Sequence, residues 1–199
     1  MSAAHLVLDL ALTIRHDGRG GVADDLDAPE GLTRWVAEHR EALAAAGASL
    51  DGFAADAAGL TAVRELRRAV RALFARAVRP GEPSPADAHR LLPPGEAVAR
   101  LDEAAAHVPV VPRLTWPGAG EPQVTYAPAA PAAHVGLLTA ALARAAMTFL
   151  ASPDRARLRA CHAPRCVRYF LKEHPRQEWC KPSCGNRARV ARHHERHKP

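Results

Sequence analysis

Cysteine is scarce in this 199-residue chain: there are four, and none precedes Cys161. That is too few for a disulfide-stapled scaffold. No Gly-rich phosphate loop, Ser-centred nucleophile motif or paired-His metalloprotease motif is present, so nothing assembles a catalytic signature and no enzyme is expected. The first residues, Met1 to Ile14, lack a positive leader region, and Asp9 interrupts their apolar run. No internal repeat stands out. The most apolar stretch, Pro131 to Leu150, carries His134 and Arg144 and is rich in weakly hydrophobic Ala, which suits a buried helix better than a membrane span. The expectation is a cytoplasmic protein with no membrane partner. Aromatics are only 5%, but 48% hydrophobic and 24% charged residues are the proportions of a globular protein. The length fits one domain, or one domain with a small appendix.

The net charge of +6 conceals an asymmetry. Residues 155–199 carry 13 Lys/Arg against three acids (Glu173, Glu178, Glu195), a net of +10. Residues 1–154 carry 14 basic and 18 acidic residues, a net of −4. Five of the 11 His and all four Cys also lie in the basic part. This segregation points to a nucleic-acid partner for the C-terminal module.

Along the acidic body, His5 to Ile14 reads as a strand or a first helical turn, and Arg15 to Asp27, with Gly18, Gly20 and Gly21, as a loop. Pro29 to Ala46 has Leu32, Trp35, Val36, His39 and Leu43 at helical spacing, with Gly47 as the stop. Ala57 to Val78 is the strongest helix: Leu60, Val63, Leu66, Val70, Leu73, Phe74 and Ala77 mark one face, and Arg64, Arg67, Arg68, Arg71 and Arg76 fall largely off it. Trp35 and Phe74 read as core. Ser84-Pro85 resembles an N-cap followed by proline at the first helical position of a short helix to Leu92. Gly95 to His107 is a further helix. Arg113–Trp116 and Gln123–Tyr126 are β-type runs that can pair as a hairpin across the turn-rich Pro117–Pro122. A last body helix runs from about Ala132 to Leu150. Asp9, His16, Asp17, Asp24, Asp25 and Asp27 gather acids and a histidine near the start. They read as a solvated loop, with a ligand or cation site as the sharper alternative.

The informative segment holds Cys161-x4-Cys166, then 13 residues, then Cys180-x3-Cys184. Two close Cys pairs around a short apolar stretch suit tetrahedral zinc. Each pair turns two thiolates toward one ion, with Zn–S bonds of about 2.3 Å, and four protein ligands leave no place for water, so the metal would be structural. Val167 to Leu171 can form a strand or hairpin beside it. Two disulfides, four independent thiols, or His162 in place of one Cys are the other readings. Four thiolates around Zn²⁺ carry a formal −2, which Arg165, Arg168, Lys181 and Arg187 are placed to balance.

After Cys184 the sequence is free of proline until Pro199 and fits a helix. If it starts near Cys184, that thiolate meets the positive end of the helix dipole. Arg189, Arg192, His193 and Arg196 then share one face that can follow phosphates or enter a major groove. Arg187, Val190, Ala191 and His194 line another, facing the metal module.

Cys184-Gly185-Asn186-Arg187, with Trp179-Cys180 upstream and the four-Cys frame around it, resembles the CGNR zinc finger. In that family the module closes a longer bacterial protein, whose N-terminal part is the ABATE domain, described as a stress-induced transcription regulator. Leu8-Asp9-Leu10, Leu32-Thr-Arg-Trp35 and the Leu66–Leu73 run resemble that domain. The chain departs from the family in Leu171–Cys180, which lacks the usual Asp-x-Ser-Arg segment, and in Lys181-Pro182. Contacts the family makes through the Asp-Ser segment are not carried over. The resemblance implies zinc binding, DNA binding and transcription regulation.

The expected fold is mainly α with some β: a helical N-terminal domain (1–153) bearing a short β-hairpin, then a small treble-clef-like or knuckle-type zinc module (154–199) ending in a basic helix. Cys161, Cys166, Cys180 and Cys184 are the candidate zinc ligands, and Lys181, Arg187, Arg189, Arg192 and Arg196 the candidate DNA contacts. The body would sense a small-molecule effector or mediate homodimerisation. The alternatives are a non-catalytic protein-interaction module with a purely structural zinc, marked by tail arginines paired to acids of the body, and a small-molecule-binding or enzymatic body with a polar pocket near Asp9 and Arg15.

Overall fold

Apolar residues in the first helix fall on every side of it, so it can only be stable inside the protein. In the computed structural model, which describes residues 3–19, 21–87 and 91–197, this helix is α1 (Ala3–Leu12), with Leu6, Val7, Leu10 and Ala11 fully buried. The segment is thus a full helix, where the sequence left strand and helix open. Gly20 and residues 88–90 of the expected 84–92 helix lie outside the described residues.

The polar segment expected to be a loop is a hairpin. Strand β1 (Ile14–His16) pairs antiparallel with β2 (Val22–Asp24), Arg15 opposite Ala23. Hydrogen bonds hold it where side-chain alternation does not. Asp17 Oδ1 accepts from the N–H groups of Arg19 (2.7 Å) and Gly21 (2.9 Å), and the Gly21 carbonyl accepts from the N–H of Asp17.

The helix expected from Pro29 to Ala46 is broken in two, α2 (Pro29–Glu38) and α3 (Arg40–Ala45). The break is His39, whose ring stacks on Trp35 at 4.2 Å and lies 3.4 Å from the Asp9 carboxylate. Gly47 ends α3 with φ +85°, a conformation that favours glycine.

Helix α4 (Ala57–Ala77) starts where Asp56 accepts a hydrogen bond from the Gly59 N–H at 2.7 Å. Its predicted apolar face is buried from Leu60 to Phe74. Each fully buried Leu or Phe there contributes about 1.5–3 kcal/mol of transfer free energy. Arg67 and Arg71, expected off that face, are buried as well, each 4% exposed. Arg67 forks onto both oxygens of Asp24 at 2.6 Å and reaches Thr13 Oγ1 at 2.7 Å, tying the β1–β2 hairpin to α4. Burial raises the Asp24 pKa, but the Arg67 hydrogen bond and charge hold it below the usual carboxylate range.

After a one-turn 3-10 helix, Pro85–Asp87, comes α5 (Pro94–His107), then the hairpin β3 (Val110–Thr115) and β4 (Gln123–Pro128) with Leu114 opposite Val124. Helix α6 (His134–Ala151) packs on α1, α4 and α5 and fills the centre of the core. By length and composition alone it could cross a membrane, but 61% of it is buried within the protein. The chain then runs through a second 3-10 turn, Pro153–Arg157, into the hairpin β5 (Leu158–Ala160) and β6 (Tyr169–Leu171), and ends in α7 (Pro182–Arg196).

Candidate metal centre and the basic helix beside it

Cys161 follows β5 directly, and its N–H extends the ladder to the Arg168 carbonyl at 2.9 Å. The chain returns from Cys161 to Cys166 through a tight turn. The Cys166 N–H donates to Ala163 O at 2.9 Å, Pro164 occupies the second turn position, and Arg165 takes a left-handed φ of 62° at the third. Beyond β6, Gln177 braces the loop with Oε1 on the Glu173 N–H (2.7 Å) and Nε2 on Trp179 O (3.2 Å). Cys180 ends this loop, and Pro182 at the start of α7 brings Cys184 into the first helical turn.

All four Sγ atoms lie within 4.8 Å of one another, the one such group of possible metal ligands among the described residues. Cys166 and Cys180 sulfurs are 3.7 Å apart, and Cys180 and Cys184 sulfurs 3.5 Å. A tetrahedron with metal–sulfur bonds of about 2.3 Å has edges of about 3.8 Å. A disulfide would need about 2.05 Å, so the cysteines are free thiols rather than two bridges. His162 is exposed and stands outside the group.

The electrostatics also ask for a cation. Hydrogen bonds from Cys166 and Cys180 pull the Cys161 thiol far below its ordinary range. The same interactions with Cys161 push Cys166 and Cys180 above theirs. These three thiols thus oppose one another's ionisation, and a divalent ion at their centre would favour the thiolate form. Arg187 already supplies positive charge, its Nη2 donating to Cys184 Sγ at 3.1 Å. The donor set, the spacing and this guanidinium fit zinc.

Around the sulfurs is a small core of Cys161, Ala163, Cys166, Phe170 and Cys184, with Trp179 and Cys180 packed on it. Trp179 explains Gly185: a Cβ there would meet the indole Cδ1 at 3.0 Å, tighter than ordinary packing. Asn186 Oδ1 accepts from Arg189 on the next turn.

On α7, Cys184 and Ala188 are buried, with Gly185, Arg187 and Ala191 half-buried. This is the face that meets the metal module. Val190 and His194, expected on it, are exposed. Arg189, Arg192, His193 and Arg196 are exposed together along one side, and Lys181 is exposed at the helix entry. Arg192 donates within its own helix, to Ala188 O at 3.4 Å. Among the described residues, none of Lys181, Arg187, Arg189, Arg192 and Arg196 forms a salt bridge.

Among the described residues, the N-terminal acids do not converge on a cation site. Asp9 faces His39, Asp24 faces Arg67 and Arg64, and Asp25 faces Arg15 at 2.6 Å.

Sequence reasoning missed the group that joins the metal segment to the body. Tyr169 is fully buried, edge-on to Phe74 at 5.5 Å, and its hydroxyl donates to Asp87 Oδ2 at 2.7 Å. Burial, then the Asp87 charge, raises its pKa well above an ordinary phenol. Arg71 clamps both Asp87 oxygens (2.8 and 3.0 Å) and holds Ala11 O at 2.6 Å. Ser84 Oγ donates to Val167 O at 2.8 Å. The Ser84-Pro85 pair had signalled a helix cap, and Ala86 N–H does donate to Ser84 Oγ at 3.3 Å, but nothing local in sequence marks Val167 or Tyr169 as partners.

The profile of a family described as "Putative stress-induced transcription regulator" (ABATE) matches residues 4–153, and that of the CGNR zinc finger matches residues 157–197. No curated protein matches the chain.

Proposed function

The chain belongs to the ABATE family and carries a CGNR zinc finger, and from that premise we propose that it is a zinc-dependent, DNA-binding transcription regulator of the cytoplasm. Cys161, Cys166, Cys180 and Cys184 hold one Zn²⁺, which supplies a closed tetrahedral tie and no open position for chemistry. In this reading residues 154–199 form the DNA-contacting module. Residues 1–153 form a non-enzymatic body that senses a small molecule or mediates oligomerisation.

The observation that carries the reading is the exposed side of α7. Arg189, Arg192 and Arg196 lie along it without carboxylate partners among the described residues. A helix face that merely balanced the body's acids would pair with them. Among the described residues this one has no carboxylate to answer it, which leaves it open to an anion outside the chain such as a phosphate backbone. Lys181 and Arg187 flank the metal end of the same helix, Arg187 with one donor committed to Cys184.

For oligomerisation, the β3–β4 hairpin supports a second copy as partner. Its register puts Pro112, Leu114, Val124 and Tyr126 on one face, and Leu114, Val124 and Tyr126 are all at least half exposed. Two isolated strands need such a face covered.

The test is binding of the full chain to duplex DNA at two salt concentrations, with and without a chelator. Affinity should fall steeply with salt. Replacing Arg189, Arg192 and Arg196 by Ala should flatten the log–log slope by up to about three, near 0.9 for each phosphate no longer neutralised. An unchanged affinity and slope in that variant would remove α7 from the interface.

A further inference from the structure

Three buried side-chain atoms lack a hydrogen-bond partner among the described residues: His16 Nε2, Arg144 Nη2 and Arg187 Nε. Two of these residues, His16 and Arg187, line the same cavity, although they are far apart in sequence. It has a volume of about 390 Å³ and lies where the β1–β2 hairpin faces the turn of Cys161–Cys166 and the start of α7. We propose that this cavity binds a small phosphate-like anion, inorganic phosphate or the phosphoryl group of a small metabolite.

The charge of the lining sets the sign of the ligand. Arg15, His16, Arg165, Arg168, Lys181 and Arg187 face the cavity, and the one carboxylate among its walls, Asp25, is taken by Arg15 Nε at 2.6 Å. Arg165, Arg168 and Lys181 have no carboxylate partner among the described residues. A zinc–thiolate shell would offset part of this charge, chiefly through Arg187, which already touches Cys184. Its formal −2 answers two of the four unpaired cations, Arg187 among them, and leaves two unanswered.

The donors set the ligand's chemistry. His16 Nδ1 accepts the Gly18 N–H at 2.8 Å, so in the neutral ring the proton sits on Nε2 and that atom is a donor. Arg187 Nε is always a donor. Two buried donors without acceptors are costly and rare, which is the mark of a missing acceptor. A tetrahedral oxyanion offers acceptors in several directions and matches guanidinium forks. Both orphan atoms are shielded from bulk solvent, and their side chains wall a recess between the hairpin and α7 that suits a small ion better than a duplex backbone resting on the exterior. A small ion is therefore the occupant, and the cavity is large enough for one with a modest appended group.

This site deepens the sensing half of the proposed function by giving it a place and a ligand class. It does not depend on α7 meeting DNA, and its assay reads anion binding alone. The zinc-loaded full chain would be titrated calorimetrically with inorganic phosphate and with pyrophosphate at constant ionic strength. Saturable binding of at least one, with Kd below about 1 mM, is expected. His16→Ala and Arg168→Gln should each weaken it by about ten-fold or more, with zinc content by elemental analysis unchanged. Should either variant fail to fold, Arg165→Gln, on an exposed side chain, gives the same reading with a smaller effect. The proposal is overturned by the absence of saturable binding up to about 10 mM of either anion, or by equal affinity in the folded variants. It is equally overturned if His16→Ala weakens duplex binding while neither free anion binds, since the phosphate would then be that of DNA.

Discussion

Tyr169 and Phe170 are neighbours in one short strand, yet they are buried in different cores. Tyr169 points into the large apolar interior shared by α1, α4 and α6, and Phe170 into the cluster of cysteines. The alternation of a β-strand makes that division possible with a single residue step. The two interiors are built by opposite means. The body buries long apolar faces of several helices. The sulfur cluster has five buried residues, three of them cysteines, and an apolar area too small to order the loops around it. The contrast teaches where a metal is needed: in the region where the chain cannot bury enough of itself.

The largest expected effect would break this comparison outright if it failed. Structural zinc sites contribute about 10–16 kcal/mol of apparent binding free energy. Chelation, or Cys166→Ser, should therefore release the Cys161–Cys184 loops and α7 while leaving α1, α4 and α6 folded. Hydrogen exchange resolved along the chain would show protection abolished in 180–196 and kept in 57–77. Uniform deprotection would mean that one core, not two, holds the molecule.

Arg71→Ala should act in the opposite direction, on the body first. It strands Asp87 in the interior, and breaking a buried pair by removing one partner costs about 3–5 kcal/mol. Urea unfolding of the zinc-loaded protein measures it. Tyr169→Phe is milder, about 1–3 kcal/mol for leaving Asp87 and the Ser84 N–H short of a partner. Because Tyr169 sits on the strand between the cores, this variant should lower both the unfolding midpoint and the zinc affinity. An effect on the midpoint alone would make the strand a part of the body only.

The smallest effect sharpens the contrast through pH. The Asp9 hydrogen bond raises the His39 pKa above its usual 6.5, against a lesser opposing contribution from burial. Its folded value exceeds the unfolded one, so the stabilisation is complete below about pH 6.5 and fades as pH rises through the folded value. Zinc binding responds in reverse, since protons compete for thiolates as pH falls. Mild acidification should thus loosen the metal region while the His39–Asp9 contact is at its strongest. His39→Gln should abolish the body's share of this pH dependence in thermal melts, leaving the metal's share intact.

What could be read from the sequence divides along physical lines. The apolar face of α4, the β3–β4 hairpin and the four-Cys frame are periodic or closely spaced, and such signals are local. The metal cluster followed from spacing because both Cys pairs bracket short turns. The β1–β2 hairpin escaped because Asp17 and Arg67 hold it, and no alternation of side chains announces it. Arg67 and Arg71 looked like solvent residues because their partners, Asp24 and Asp87, lie 43 and 16 positions away. The break between α2 and α3 came from a histidine drawn to Trp35 and Asp9. On α7 the packing side is set by Cys184 and Ala188, so the small residue won over Val190, which is 56% exposed.

Helix α6 has a consequence for how the protein is made. Free of its neighbours, it is an 18-residue apolar segment that a lipid bilayer would accept by length and hydropathy. Most of the surface that covers it belongs to α1, α4 and α5, and all three precede it in the chain. Synthesis runs from the N-terminus, so these helices have left the ribosome before α6 does. The order of elements gives the greasiest part of the chain a waiting berth, and the interval in which it could stray into a membrane or another chain is short.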